Sequence, residues 1–178
     1  MTEYWTADPH LGHPEIIWHC NRPFKNEQRM TRETIKRYNS VVGPDDTCYI
    51  VGDIALAGPT RYHFVVNILE RLNGIKVLIL GNHDEIRALR YVDAGFQSVH
   101  TSLMIERMGY KLVMVHDPST WNVVSNWKPL PIFIHGHVHN YGERSDPVRR
   151  TINVGVDRWD FTPITLEQIL DELGLPKG

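Results

Sequence analysis

Apolar and polar positions follow two regimes along this chain. Tyr62, Val65, Val66, Leu69 and Leu72 recur at helical spacing and predict a helix packed on one face. Gly58-Pro59 precedes this stripe, Thr60 is its expected N-cap, and Asn73-Gly74 closes it. The run from Ile75 to Leu80 is continuously apolar, the mark of a strand covered on both faces in a parallel sheet. Thr47-Cys48-Tyr49-Ile50-Val51 predicts a strand entered from the turn Gly43-Pro44-Asp45-Asp46. A shorter stripe at Ile35, Tyr38 and Val41 or Val42 marks an earlier helix, with Thr31 as its expected cap. Strands and helices alternating in this way belong to a layered α/β fold.

The second half reads differently. Leu103 to Ile105, Lys111 to Val115, Ile132 to Ile134 and Thr151 to Val156 are short strand-like segments separated by Gly, Pro or Asn. Little between them has helical period until Thr165-Leu166-Glu167-Gln168, a capping box that opens a C-terminal helix. Residues 1–178 are therefore read as a single domain, α/β in its first half and strand-rich in its second, without internal repeats.

Composition narrows the function classes. A net charge of −2 with 22% charged residues argues against disorder and against a nonspecific nucleic-acid coat. No apolar run reaches the roughly 18–20 residues that span a bilayer, and no signal peptide is visible at Met1-Thr2-Glu3-Tyr4. Cys20 and Cys48 make neither a disulfide framework nor a CxxC zinc motif and read as buried thiols. A cytoplasmic location is the resulting expectation. Histidine stands out: there are 10, with His10, His13 and His19 in one cluster and His135, His137 and His139 in another.

The candidate chemistry lies just beyond predicted strand ends. Asp8-Pro9-His10, Gly52-Asp53, Gly81-Asn82-His83-Asp84, His116 and His135-Gly136-His137-Val138-His139 each follow a strand-like segment. Ligands of open α/β sheets bind outside the carboxyl ends of the strands, so these loops are expected to converge. Asp, His and Asn supply oxygen and nitrogen donors without thiolate, a set suited to Mn, Fe or Zn ions. Seven such donors suffice for two ions that share a carboxylate and clamp a displacement at phosphorus.

Taken in order, the motifs DxH, GD, GNHD, H and GHxH resemble the calcineurin-like metallophosphoesterase superfamily over residues 8–139. Asp8-Pro9-His10-Leu11-Gly12-His13 with Cys20-Asn21-Arg22-Pro23-Phe24 resembles, more narrowly, a small single-domain bacterial and phage branch. The resemblance implies a four-layer α/β/β/α sandwich, with two mixed sheets flanked by helices. It implies two divalent ions, Mn first, with Fe, Zn or Ni as alternatives. Asp8, His10 and His139 would bind the first ion, Asp53 would bridge, and Asn82, His116 and His137 would complete the second site. His83 would protonate or stabilise the leaving oxygen, with Asp84 orienting it.

The implied enzyme is a phosphoester hydrolase using a hydroxide held between the metals. A phosphodiesterase acting on small nucleotides, cyclic ones included, is the first expectation. A nuclease or a phosphomonoesterase would use the same donors, and a non-catalytic metal-binding scaffold is the reading from another class. Neither a membrane partner nor an extended nucleic-acid surface is expected.

Other residues carry two readings each. Arg22 is either a phosphate-gripping cation or a salt-bridged loop arginine. His13 is a candidate for the substrate pocket, whereas His19 and His135 read as structural. Asp117 either holds the His116 ring or caps a turn, and Trp121 and Trp127 either wall a nucleobase pocket or pack a loop.

Overall fold

The computed structural model describes residues 1–56, 61–84 and 88–177. The expected cap at Thr60 lies outside the described residues.

Ten strands build two five-stranded mixed sheets. The first sheet contains β1 (Glu3–Thr6), β2 (Thr47–Val51), β3 (Ile75–Ile79), β4 (Ser98–His100) and β10 (Ile164–Thr165). β1 to β4 run parallel in chain order, and β10 returns from the far end of the chain to pair antiparallel with β1. The second sheet contains β5 (Leu103–Arg107), β6 (Tyr110–Met114), β7 (Ile132–His135), β8 (Ser145–Asp146) and β9 (Thr151–Asn153), in the order β5-β6-β7-β9-β8.

Alternating side chains divide the apolar residues between layers. Trp5, Tyr49, Val51 and Val77 of the first sheet meet Leu112, Met114, Ile132 and Ile152 of the second, forming the central core. Trp5 is fully buried, stacks on Tyr49 with ring centroids 5.3 Å apart, and points Nε1 at Met114 Sδ across the sandwich at 3.3 Å. Cys48, Ile50 and Leu78 face the other way, onto α2 (Glu27–Val41), α3 (Arg61–Arg71) and α4 (Ala88–Ala94). The remaining helices are α1 (Glu15–His19) and α5 (Leu166–Glu172), and α5 adds Leu166, Ile169 and Leu170 to the central core. Over the outer face of the second sheet lies a 3₁₀ helix, Pro118–Val123, with Val124 and Trp121 packed near Val113 and Phe133. The expected sandwich is present, and its outer layer on this side is thin. Among the described residues no helix is long and apolar enough to cross a membrane.

One local expectation needs correction, and the alternative left open for Asp117 is decided. Thr31 does not cap α2. The helix begins a turn earlier, where the Asn26 side chain accepts from Arg29 N, and Thr31 is buried with its hydroxyl accepting from Gly12 N. Asp117 does not hold the His116 ring: its carboxylate accepts from Ser119 N and so caps the 3₁₀ helix. Trp121 donates to the Arg149 carbonyl and packs beside Val113 and Phe133, whereas Trp127 is exposed and lines an outer-face groove with Met104 and Val123. The capping box at Thr165 and Gln168 is formed as expected.

One ion pair ties the two sheets together. Glu3 on β1 accepts from Nε and Nη2 of Arg107 on β5 at 2.6 and 2.9 Å, and from the Tyr49 hydroxyl at 2.8 Å. Burial works to raise the Glu3 pKa, but the bonds from Arg107 and Tyr49 outweigh it and hold the carboxyl below its ordinary value. A carboxylate with a lowered folded-state pKa stabilises above its unfolded pKa and loses that contribution as pH falls through the folded value. Glu3→Gln is therefore expected to cost about 0.5–1 kcal/mol at neutral pH, after allowing for the solvent around Arg107. Urea melts of both proteins should converge well below the carboxylate range; a deficit that persists in acid would contradict the ion-pair account.

Candidate metal centre

Five loops leave the carboxyl ends of strands from both sheets and meet over one edge of the sandwich. β1 delivers Asp8 and His10, β2 delivers Asp53, β3 delivers Asn82 and His83, β6 delivers His116, and β7 delivers His137 and His139. Asp8, His10, Asp53 and His116 are almost wholly buried, while Asn82 and His137 are exposed and face the solvent side.

The backbone bends sharply to achieve this. Asp8, His10, Asp53, His137 and His139 all have φ between 47° and 72°, the left-handed region that ordinary residues avoid. Residues held there commonly mark functional sites, because the fold must over-determine them. Glycine supplies clearance where the loops cross. A Cβ on Gly81 would stand 2.2 Å from Asp53 Oδ1, and one on Gly136 would stand 2.4 Å from Asp8 Oδ2.

Donor atoms gather in two overlapping groups. Asp8, His10 and His139 each place a donor within 4.8 Å of the others, as do Asp8, Asp53 and His116. Asp8 is common to both groups, and Asp53 Oδ2 stands between their imidazoles, 3.4 Å from His10 Nε2 and 3.3 Å from His116 Nε2. His116 Nδ1 sits 2.9 Å from the Val51 carbonyl, which can only accept; this fixes Nδ1 as the donor and turns Nε2 inward, 3.1 Å from Asn82 Oδ1. His137 Nδ1 reaches the same Asn82 oxygen at 2.9 Å. A third group, Cys20, His139 and Asp157, brings a thiol within 4.8 Å of His139, which the donor set read from the sequence lacked.

The electrostatics are those of a crowded, charged pocket. Burial pushes the Asp8 carboxyl up to about 6, against the pull of His116 and His139. Burial also acts to raise Asp53, but the adjacent His10 and His116 imidazoles win and hold it far below the carboxylate range. His116 and His139 are opposed by burial, yet their carboxylate neighbours lift them to about 9 and about 10. His10 is lowered by burial to about 4 and is therefore neutral. Both of its ring nitrogens are buried without a hydrogen-bond partner among the described residues. Buried imidazole nitrogens are rarely left unmet, and this pair, enclosed by carboxylates and imidazoles, fits a hard or borderline divalent cation.

Other residues singled out from the sequence are placed as follows. His83 is half-buried; its backbone N donates to Asp53 Oδ1 at 2.8 Å, and its ring stands 5.4 Å from that of His10. Asp84 departs from its expected role. Its carboxylate accepts from the backbone N of Gly81, Asp53 and Ile54 and from the Tyr91 hydroxyl, bracing the two neighbouring loops instead of orienting the His83 ring. Arg22 departs too. Its guanidinium is buried, pairs with both oxygens of Asp157 at 2.8 Å and donates to the carbonyls of Asp8 and Pro9, leaving nothing free for a phosphate. His13 lines a cleft of about 640 Å³ with Thr31, Arg32 and Phe64, and its ring is 5.5 Å from that of His10. His135 is buried, with Nδ1 against the Gly136 carbonyl.

Two residues of the site carry no motif that singles them out in the sequence. Asp157 accepts from His139 Nδ1 at 3.1 Å, and Asn153 donates to the His139 carbonyl at 2.9 Å. Both lie in or just after the strand-like run Thr151 to Val156, so the rule that finds the other loops applies to Asp157 as well.

Two mixed sheets thus carry a buried carboxylate–imidazole cluster at their carboxyl ends. No family model matches the chain. An uncharacterised protein of Methanocaldococcus jannaschii is 34% identical over 169 residues, covering 94% of this chain and 88% of that one. A protein of unknown function from Aquifex aeolicus superposes with a TM-score of 0.74 at 25% identity, covering 97% of this chain and 98% of its own. An archaeal phosphodiesterase shares the fold, with a TM-score of 0.53, 17% identity, and coverage of 87% and 82%. The chain belongs to one family with the Methanocaldococcus jannaschii protein, and with the archaeal phosphodiesterase it shares the fold.

Proposed function

We propose that the protein is a phosphodiesterase dependent on two divalent cations, acting on small nucleotide or cyclic-nucleotide substrates. The observation that carries this reading is the unpartnered, buried His10 imidazole inside a ring of Asp8, Asp53, His116 and His139. Asp8, His10 and His139 would hold one ion, and Asn82, His116 and His137 the other, with Asp53 common to both. Bound there, the ions supply Lewis acidity toward the phosphate oxygens and lower the pKa of attacking water.

The chain's own residues do the rest. Asp53 also anchors the His83 backbone, which keeps the His83 ring at the rim of the cluster. From there His83 donates a proton or hydrogen bond to the departing oxygen. Asn82 and His137 stand at the solvent side, the face by which a phosphoester enters. The adjoining cleft begins at His13, has the volume of a small-ligand site, and offers the Phe64 ring and the Arg32 guanidinium to a nucleotide.

The test is metal analysis after Mn²⁺ loading, followed by turnover of a panel of mono-, di- and cyclic phosphates. Two equivalents of metal with preferred cleavage of diesters support the proposal. Less than one equivalent and no turnover of an aryl phosphodiester would favour a scaffold instead. His83→Ala should keep both ions while kcat falls roughly 10²–10⁴-fold on unactivated esters. The loss should be much smaller on esters with a good leaving group. Equal rates for mutant and wild type on a poor leaving group would remove His83 from the mechanism.

A further inference from the structure

Of the two readings open to Arg22, the contacts favour the salt-bridged one. The side chains of Arg22 and Asp157 are 0% and 3% exposed. A buried ion pair is weak support for stability, because desolvation consumes most of its Coulombic gain. This pair directs its remaining hydrogen-bonding capacity to the metal loops. Arg22 Nη2 donates to the Asp8 carbonyl at 2.8 Å and Nη1 to the Pro9 carbonyl at 2.9 Å, pinning the turn that carries Asp8 and His10 in left-handed conformation. Asp157 Oδ2 accepts from His139 Nδ1 at 3.1 Å, which fixes Nδ1 as a donor and leaves Nε2 as the nitrogen that would meet a cation once its proton is displaced. One fork of guanidinium and carboxylate thereby connects residues 8, 10 and 139, which leave two different sheets.

We infer that the Arg22–Asp157 pair is a positioning device for one half of the centre, setting the cation affinity of the Asp8–His10–His139 site and leaving the Asn82–His116–His137 site unaffected. This rests on the two-cation reading above. Neither residue reaches substrate. The planar fork is needed because one group must serve a carboxylate bidentately and two carbonyls at once, which an ammonium cannot do.

The experiment is calorimetric titration of the full chain with Mn²⁺ alone, beside thermal melts in chelator. Asp157→Asn keeps the shape of the side chain but removes its charge. It is expected to weaken one of two binding steps by about 10–100-fold and to leave the second unchanged. Arg22→Lys keeps the charge and should give the same one-sided loss, which guards against a poorly folding Asp157→Asn protein. Wild-type affinities at both steps in these variants would overturn the inference. So would equal weakening of both steps with a lowered melt in chelator, because that pattern marks a merely structural pair. A wild-type chain that holds no Mn²⁺ would remove the two-cation reading itself, and this inference with it.

Discussion

Asp53→Asn is expected to release both cations and to lower kcat/KM by roughly 10³-fold or more, since Lewis-acid stabilisation is worth several kcal/mol and each 1.36 kcal/mol is tenfold. The reason is its shared position. Asp53 Oδ2 lies within 3.4 Å of His10 and His116, which belong to different donor groups, and Oδ1 anchors the His83 backbone. Asp8 also belongs to both donor groups, but it stands farther from His116, at 3.9 Å. Asparagine is the informative replacement because it tolerates the left-handed backbone at this position, where φ is 56°. The Asp53→Asn protein should fold in chelator yet bind less than one equivalent of Mn²⁺. Retention of two ions with near-normal turnover would show that the sharing is only geometric.

The second large effect comes from a residue without a side chain. Gly136→Ala should impair the centre nearly as severely, although Gly136 is no donor. Its added methyl would stand 2.4 Å from Asp8 Oδ2 and 2.6 Å from Ala7 Cβ, and the buried Asp8 carboxylate has no empty space to move into. Overpacking of this kind costs about 1–3 kcal/mol, and the displaced carboxylate loses its bonds from His137 N as well. Gly142→Ala is the control. There φ is +73° but nothing lies within 4 Å of the added methyl, so only the backbone cost of about 1–2 kcal/mol applies. Diesterase assays and chelator melts on the two variants separate the effects. Full activity in the Gly136 variant would mean that the Asp8 loop can shift without consequence.

How much of the molecule is legible in its sequence varies by element. β2, β3, β6 and β7 are largely apolar runs ending in a polar motif, and position after the strand is enough to collect their donors. α4 is hidden because its pattern points the wrong way: Tyr91 and Ala94 are buried while Leu89 and Val92 face solvent. β8 and β10 are two residues long, too short to show a period of two. That β10 joins the first sheet is a long-range pairing that local pattern does not encode. Arg22 and Asp84 do belong to the site's surroundings, as their motifs suggest, but what they touch is not what residue type implies. Asp84 is held mostly by backbone N–H groups and Arg22 partly by backbone carbonyls, and backbone atoms leave no signature in residue type.

The left-handed turns at the five metal-loop positions carry a consequence for assembly. Each costs about 1–2 kcal/mol as an isolated peptide, so none of these turns forms on its own. They persist because finished sheets, the loop-crossing glycines and the Arg22 fork leave the chain no alternative. The donors are therefore among the last parts of the molecule to be ordered during folding, and among the first to be surrendered when the sandwich loosens. Metal capture in such a protein reports completed tertiary structure rather than guiding it.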